Sequence, residues 1–219
     1  MNPGLPHSAQ KDFQRAVALF NEGRLATAEG ICAELIARFP LDAELAQFGG
    51  LLANRMGRFD IAVQRLTRSV QANPSRAKAL AALAFAQERL GRLDDARASF
   101  GAAIRAEPTF AEAYNGLGVT LVRTGNPAEA MPYFDRAIAL RPTMLEAHLN
   151  AAHALMDMGR VTVAARHFRE AATLAPARDD VLWASAVGLH QADDFDNAER
   201  LLRAILERSP ANAAARARL

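Results

Sequence analysis

Cysteine occurs once in the 219 residues, as Cys32, so no internal disulfide can staple this chain and pairing says nothing about its redox compartment. Lysine is nearly missing too. Only Lys11 and Lys78 accompany arginine among the 26 basic residues, and the 24 acidic residues are interleaved with them to leave a formal charge of +2. That balance excludes a polybasic membrane patch and a nucleic-acid stripe, despite a sequence pI of 9.1. No run approaches 18 apolar residues, and Met1 to Ser8 is polar with no apolar leader core, so no membrane partner is expected and a cytoplasmic location follows by default. β-rich stretches are absent, whereas hydrophobic residues make up 51% of the chain and much of that is alanine, which favours closely packed helices over a sheet.

What is present is a grid. Pro40, Pro74, Pro108, Pro142, Pro176 and Pro210 recur every 34 residues, and Gly23, Gly57, Gly91, Gly125 and Gly159 recur with the same period in another phase. A fixed period of this size means stacked copies of one supersecondary unit. With each proline at position 32, six units span 9–42, 43–76, 77–110, 111–144, 145–178 and 179–212. Residues 1–8 are left as a disordered tail, and 211–219 as the start of a capping or seventh-repeat helix.

Position 20 is alanine in all six units: Ala28, Ala62, Ala96, Ala130, Ala164 and Ala198. Position 8 is always small: Ala16, Gly50, Ala84, Gly118, Ala152 and Ala186. One fixed small residue in each half is what two antiparallel helices need where their backbones approach. The glycine at position 15 sits where a left-handed C-cap is expected, with Asp193 replacing it in the sixth unit. Proline ends the second helix. Position 24 (Cys32, Leu66, Phe100, Phe134, Phe168, Leu202) and position 28 (Ile36, Val70, Ile104, Ile138, Ala172, Leu206) complete an inward stripe. Cys32 therefore reads as a buried structural thiol. Each unit is helix, tight turn, helix, breaker.

The small residue at position 8, Ala-x-x-x-Phe at 20 and 24 and proline at 32 resemble the tetratricopeptide repeat (TPR) pattern. The likeness covers residues 9–210 and is best in the third and fourth units, with Leu83-Ala84, Ala96, Phe100 and Pro108, then Tyr114, Leu117-Gly118, Ala130, Phe134 and Pro142. The first unit departs most, carrying Asp12, Arg15 and Cys32, as a solvated terminal cap would. The resemblance implies an all-α, right-handed superhelical solenoid of antiparallel helix pairs, six repeats plus a partial seventh helix.

No catalytic constellation is legible. His7, His148, His153, His167 and His190 contain no i, i+4 pair of the kind that holds a metal on one helical face; His148, at position 4, reads as a packing residue. Gly116-Leu117-Gly118 lies inside a first helix, with no preceding strand and with Leu121 where a third small residue belongs, so it is not a dinucleotide fingerprint. Glu44, Glu112, Glu146 and Asp180 at position 2 complement helix N-termini. Asp60, Asp94 and Asp196 read as N-caps of second helices. The expectation is a protein that is not an enzyme, with no metal and no cofactor.

In proteins resembling this one, the first helices line a concave groove. The positions that face it give Phe48, Leu51, Asn54, Arg55, Phe85, Arg89, Asn115, Val119, Arg123, Asn150, His153 and Trp183 as the candidate partner-binding residues. The carboxylate clamp of chaperone-binding relatives is absent, since positions 5 and 9 hold Phe13 and Val17, or Ala81 and Phe85; the asparagine ladder of sugar-transferase arrays is reduced to Asn150. What remains is a peptide or protein segment anchored on Phe48, Phe85 and Trp183, with the row Arg55, Arg89 and Arg123 pairing acidic groups of the partner. The alternative for that row is a solvated wall. An alternative function is the N-terminal, substrate-recruiting region of a larger bacterial glycosyltransferase, sulfotransferase or methyltransferase. Self-association through the face of Leu201, Leu202, Ile205 and Leu206 is a third possibility.

Overall fold

A computed structural model of the chain describes residues 5–219. Among them are thirteen helices and no strand. The first helices of successive pairs are α1 (His7–Asn21), α3 (Ala43–Arg55), α5 (Ala77–Arg89), α7 (Ala111–Arg123), α9 (Leu145–Asp157) and α11 (Asp179–Gln191). Their partners are α2 (Leu25–Arg38), α4 (Phe59–Ala72), α6 (Leu93–Ala106), α8 (Pro127–Leu140), α10 (Val161–Leu174) and α12 (Phe195–Arg208), and α13 (Ala213–Arg218) follows. Residues 1–4 of the expected N-terminal tail lie outside the described residues. Within that tail, helix α1 already begins at His7, and Leu5 packs against the cluster of Ala9, Leu35 and Leu45.

The turn inside each pair follows from backbone chemistry. Gly23, Gly57, Gly91, Gly125 and Gly159 all have φ between 69° and 82°, the left-handed region that costs glycine nothing. In the first turn Arg24 N–H reaches the Leu19 carbonyl at 2.9 Å and Gly23 N–H reaches Phe20 at 3.1 Å, the paired bonds of a Schellman cap. Asp193 takes the same conformation at φ 58° and makes the same two bonds, Asp194 N–H to Leu189 and Asp193 N–H to His190. The three-residue turn sets the start of the second helix, and here one expectation is corrected. Arg58, Arg92 and Asp194 occupy the N-cap positions without a side-chain cap bond, so Asp60, Asp94 and Asp196 sit inside the first turn and act on the helix N-terminus through charge rather than as caps. The second helices end two residues before the prolines of the grid, where the residue preceding proline leaves helical space.

The chain divides into two compact units, one ending at Gly116 and the other starting at Leu117. In the first, α1 packs on α2, α3 on α4 and α5 on α6, while α2 meets α3 and α4 meets α5. In the second, α9 packs on α8 and α10, α11 on α10 and α12, and α13 on α12. The core runs from one pair into the next: Ala62 and Leu66 are buried with Ala79, Leu83 and Ala86 in one cluster, and Phe168 with Leu182, Leu189 and Leu202 in another.

Every position-20 alanine is at most 2% exposed. The position-8 residues are buried as well, and glycine there is required by contact: a Cβ on Gly50 would stand 2.4 Å from Leu66, and on Gly118 2.6 Å from Phe134. Small residues on the first helix thus make room for position 24 of the second.

Candidate functional site

In the first unit the candidate surface is built from α1, α3 and α5, with α3 touching α5. Phe13 and Phe20, one above the other on α1, close edge-on around the Phe48 ring at centroid distances of 5.3 and 5.7 Å. Phe48 is therefore buried, at 8% exposure, and this corrects its expected role: it is the floor of the surface and not an anchor offered to a partner. Leu51, one turn on, is half-buried against the Ala62/Leu66 cluster. Asn54 donates from Nδ2 to the Ala82 carbonyl of α5 at 2.9 Å, tying the two helices together, while its Oδ1 is buried without a hydrogen-bond partner. An acceptor left in that state costs about 1–3 kcal/mol unless a donor reaches it.

Around this floor stand the groups that do face outward. Phe85 is 40% exposed, its ring edge-on to Phe59 at 6.1 Å. Arg89 lies one turn further along α5, with its guanidinium 4.8 Å from the Phe59 centroid and 5.9 Å from that of Phe85. The Arg55 guanidinium covers Phe20 at 5.2 Å. Both arginines are exposed, and among the described residues neither has a carboxylate partner. Stacking on rings fixes the cations in place and leaves their in-plane N–H groups unused.

Asn115 belongs to the same unit and is half-buried on α7. In the second unit Val119 and Asn150 are half-buried, and Arg123 and His153 are exposed. The His153 ring meets Phe168 edge-on at 5.5 Å. Trp183 is half-buried against the α10–α12 core, with the Arg218 guanidinium of α13 above it at 6.0 Å. Phe48, Leu51, Asn54, Arg55, Phe85 and Arg89 are thus gathered on two touching helices, whereas the candidates of the second unit are spread over α7, α9 and α11.

Two polar arrangements escaped the repeat reading. Arg65 on α4 holds the Glu29 carboxylate of α2 in a two-pronged bridge, Nη2 to Oε1 at 2.7 Å and Nη1 to Oε2 at 2.9 Å, and Nη1 also donates to the Gly49 carbonyl of α3 at 3.1 Å. Both side chains are only 14% exposed, and the bond to Glu29 raises the Arg65 pKa. The same neighbourhood encloses Cys32, fully buried; burial first, and Glu29 second, push its thiol up to about 11 against the opposing pull of Arg65. Such a thiol is inert, as a structural reading expects. The other arrangement joins His148 and His167, nineteen residues apart on α9 and α10. His148 is buried at 7% exposure; its Nε2 lies 2.9 Å from the Pro142 carbonyl and its Nδ1 3.5 Å from His167 Nδ1. A carbonyl only accepts, so His148 donates to it from Nε2. Desolvation, then the neighbouring His148, lower the His167 pKa. No group of three or more metal-ligating side chains occurs among the described residues, and no helix there is long and apolar enough to cross a membrane.

Comparison with known proteins accords with this architecture. One tetratricopeptide repeat family model matches residues 49–100 and 82–144, and a second matches 121–186. No curated protein matches the sequence. Among solved structures, the fold is similar to PilW, a type IV pilus biogenesis factor, with a TM-score of 0.83 at 17% identity over 97% of this chain and 99% of that one. It is similar to TTC0263, a thermophilic TPR protein of Thermus thermophilus, with a TM-score of 0.71 at 21% identity over 83% and 98% of the two chains. It is also similar to YrrB, a TPR protein with an unusual peptide-binding site, with a TM-score of 0.61 at 20% identity over 84% and 95%. At these identities the likeness is one of fold.

Proposed function

The chain belongs to the tetratricopeptide repeat family, and on that premise we propose that it is a non-catalytic scaffold holding an acidic, extended segment of a partner protein against α1, α3 and α5. The observation that carries this reading is the state of Arg55 and Arg89: two exposed guanidiniums, each fixed on an aromatic ring and neither paired with a carboxylate. Cations held at a set position lose little side-chain entropy when a carboxylate arrives. Phe85 stands beside Arg89 as an exposed apolar anchor for an extended ligand. YrrB, whose fold is similar, has a peptide-binding site, which supports the general role and not the chemistry of the ligand.

The test is fluorescence anisotropy with a labelled ten-residue peptide alternating glutamate and leucine. Replacing Arg55 and Arg89 together by alanine removes two exposed ion pairs and weakens binding by about tenfold, on the scale of up to about 1 kcal/mol per pair. It also flattens the dependence of affinity on salt, and a lysine-leucine peptide binds neither protein. Equal affinities and equal salt slopes for the wild type and the double variant refute the proposal.

A further inference from the structure

A second and independent site is carried by one departure from the repeat. Position 28 of the first unit packs against position 7 of the second: a Cβ on Gly49 would lie 2.7 Å from Ile36 Cδ1. Five units fill position 28 with Ile36, Val70, Ile104, Ile138 and Leu206, but the fifth in sequence has Ala172, and the position-7 residue that follows it is Ser185. Beside Ala172 a cavity of about 230 Å³ opens between α10 and α12 over α11. Ala172, Leu182, Leu189, Leu201 and Ala204 make it apolar. Arg169 and Arg200 also line the cavity. Arg169 is drawn toward Asp194 at 3.7 Å, while Arg200 is exposed and has no carboxylate partner among the described residues.

We propose that this cavity binds a small apolar carboxylic acid, its ring or short chain against Ala172 and its carboxylate paired with Arg200. Size decides against a larger ligand: drug-sized molecules occupy pockets of about 300–1,000 Å³, whereas an apolar cavity of about 150 Å³ suffices for one benzene ring. Charge decides the head group, since the cation at the rim without an internal partner is an arginine suited to a planar carboxylate. The site does not use the Arg55 and Arg89 surface, so the two readings stand or fall separately.

Phenylacetate is the probe, titrated into the intact chain and followed by the methyl NMR shifts of Ala172, Ala204, Leu182 and Leu189. The wild type shows saturable shifts at these methyls. Ala172→Ile, which restores the residue class found at position 28 elsewhere, abolishes them and raises the thermal midpoint, because it fills the cavity. Arg200→Gln, a surface change that leaves folding intact, weakens phenylacetate about three- to fivefold, the size of an exposed ion pair, and leaves neutral phenylacetamide unaffected. Shifts that do not saturate, that persist in Ala172→Ile, or that are equal for both probes in Arg200→Gln overturn the assignment.

Discussion

Replacing Arg65 by methionine breaks the bridge to Glu29 and isolates a carboxylate that is 14% exposed. Two charges about 4 Å apart interact by roughly 4 kcal/mol at an effective dielectric of about 20, and removing one member of a buried pair costs about 3–5 kcal/mol because the other stays desolvated. The bridge retains some contact with water, so the lower end applies, about 3 kcal/mol, with the lost bond to the Gly49 carbonyl included. Glu29→Leu leaves a cation of longer reach, able to swing toward solvent, and costs about 2 kcal/mol. The double variant carries no stranded charge and returns to within about 1 kcal/mol of the wild type, since apolar replacement of a buried pair is close to neutral. The three variants therefore show strong non-additivity. Repeat arrays need not unfold in one step, so the assay is native-state hydrogen exchange of α2 and α4 amides alongside urea unfolding. Single costs near 0.5 kcal/mol that simply add would show the bridge to be a solvated surface pair and refute the reasoning.

Asp193 is the non-glycine residue with positive φ among the described residues, so Asp193→Gly raises stability by about 0.5–1 kcal/mol, while Gly91→Ala, at φ 76° with open space around it, lowers it by at least as much; thermal midpoints of the two variants move in opposite directions. His167 is held below its usual pKa by desolvation and by His148 and Arg166, with Asp135 and Glu170 opposing. A lowered folded pKa means the unfolded chain takes up the proton first, so stability is intact above the unfolded value and is lost as pH falls from there through the folded value. Melting scanned from pH 7.5 to 5 should show a steeper decline for the wild type than for His167→Gln, and parallel curves would contradict the assigned environment.

What was legible in the sequence is what local backbone chemistry dictates. Gly23 and its equivalents announce the turns because only a left-handed residue fits there, and the prolines mark helix ends because they lack a donor. The alanines of position 20 are legible for a similar reason, as nothing larger fits where at most 2% of the residue is exposed. The misplaced N-caps came from the same turn: a glycine at C′ leaves a single residue before the next helix, which puts Arg58 and not Asp60 at the cap. Phe48 was misread because its burial depends on two aromatic residues of the preceding unit, Phe13 and Phe20, which a family position number does not carry. Glu29 and Arg65, 36 residues apart, are one period plus two; a search for opposite charges at that offset would have found the pair. His148 and His167 meet across one helix hairpin, and an i, i+4 metal search looks along a single helix.

The same volume argument connects the regular and the exceptional parts of the chain. A Cβ on Gly116 would stand 2.3 Å from Phe100, and on Gly188 2.1 Å from Phe168, so in these contacts a small residue on a first helix is matched by a ring on a second helix. Close packing of this kind penalises unmatched change in either direction, by strain or by a void. Ala172, small where the other five units carry a larger residue, breaks the pattern beside a cavity, and a void of that kind carries a standing cost that filling it would remove. Position 28 shows that the repeat accommodates isoleucine, valine or leucine in the other five units. The absence of that simple repair where an unpaired arginine stands at the rim is why the cavity merits testing as a site before it is read as a packing fault.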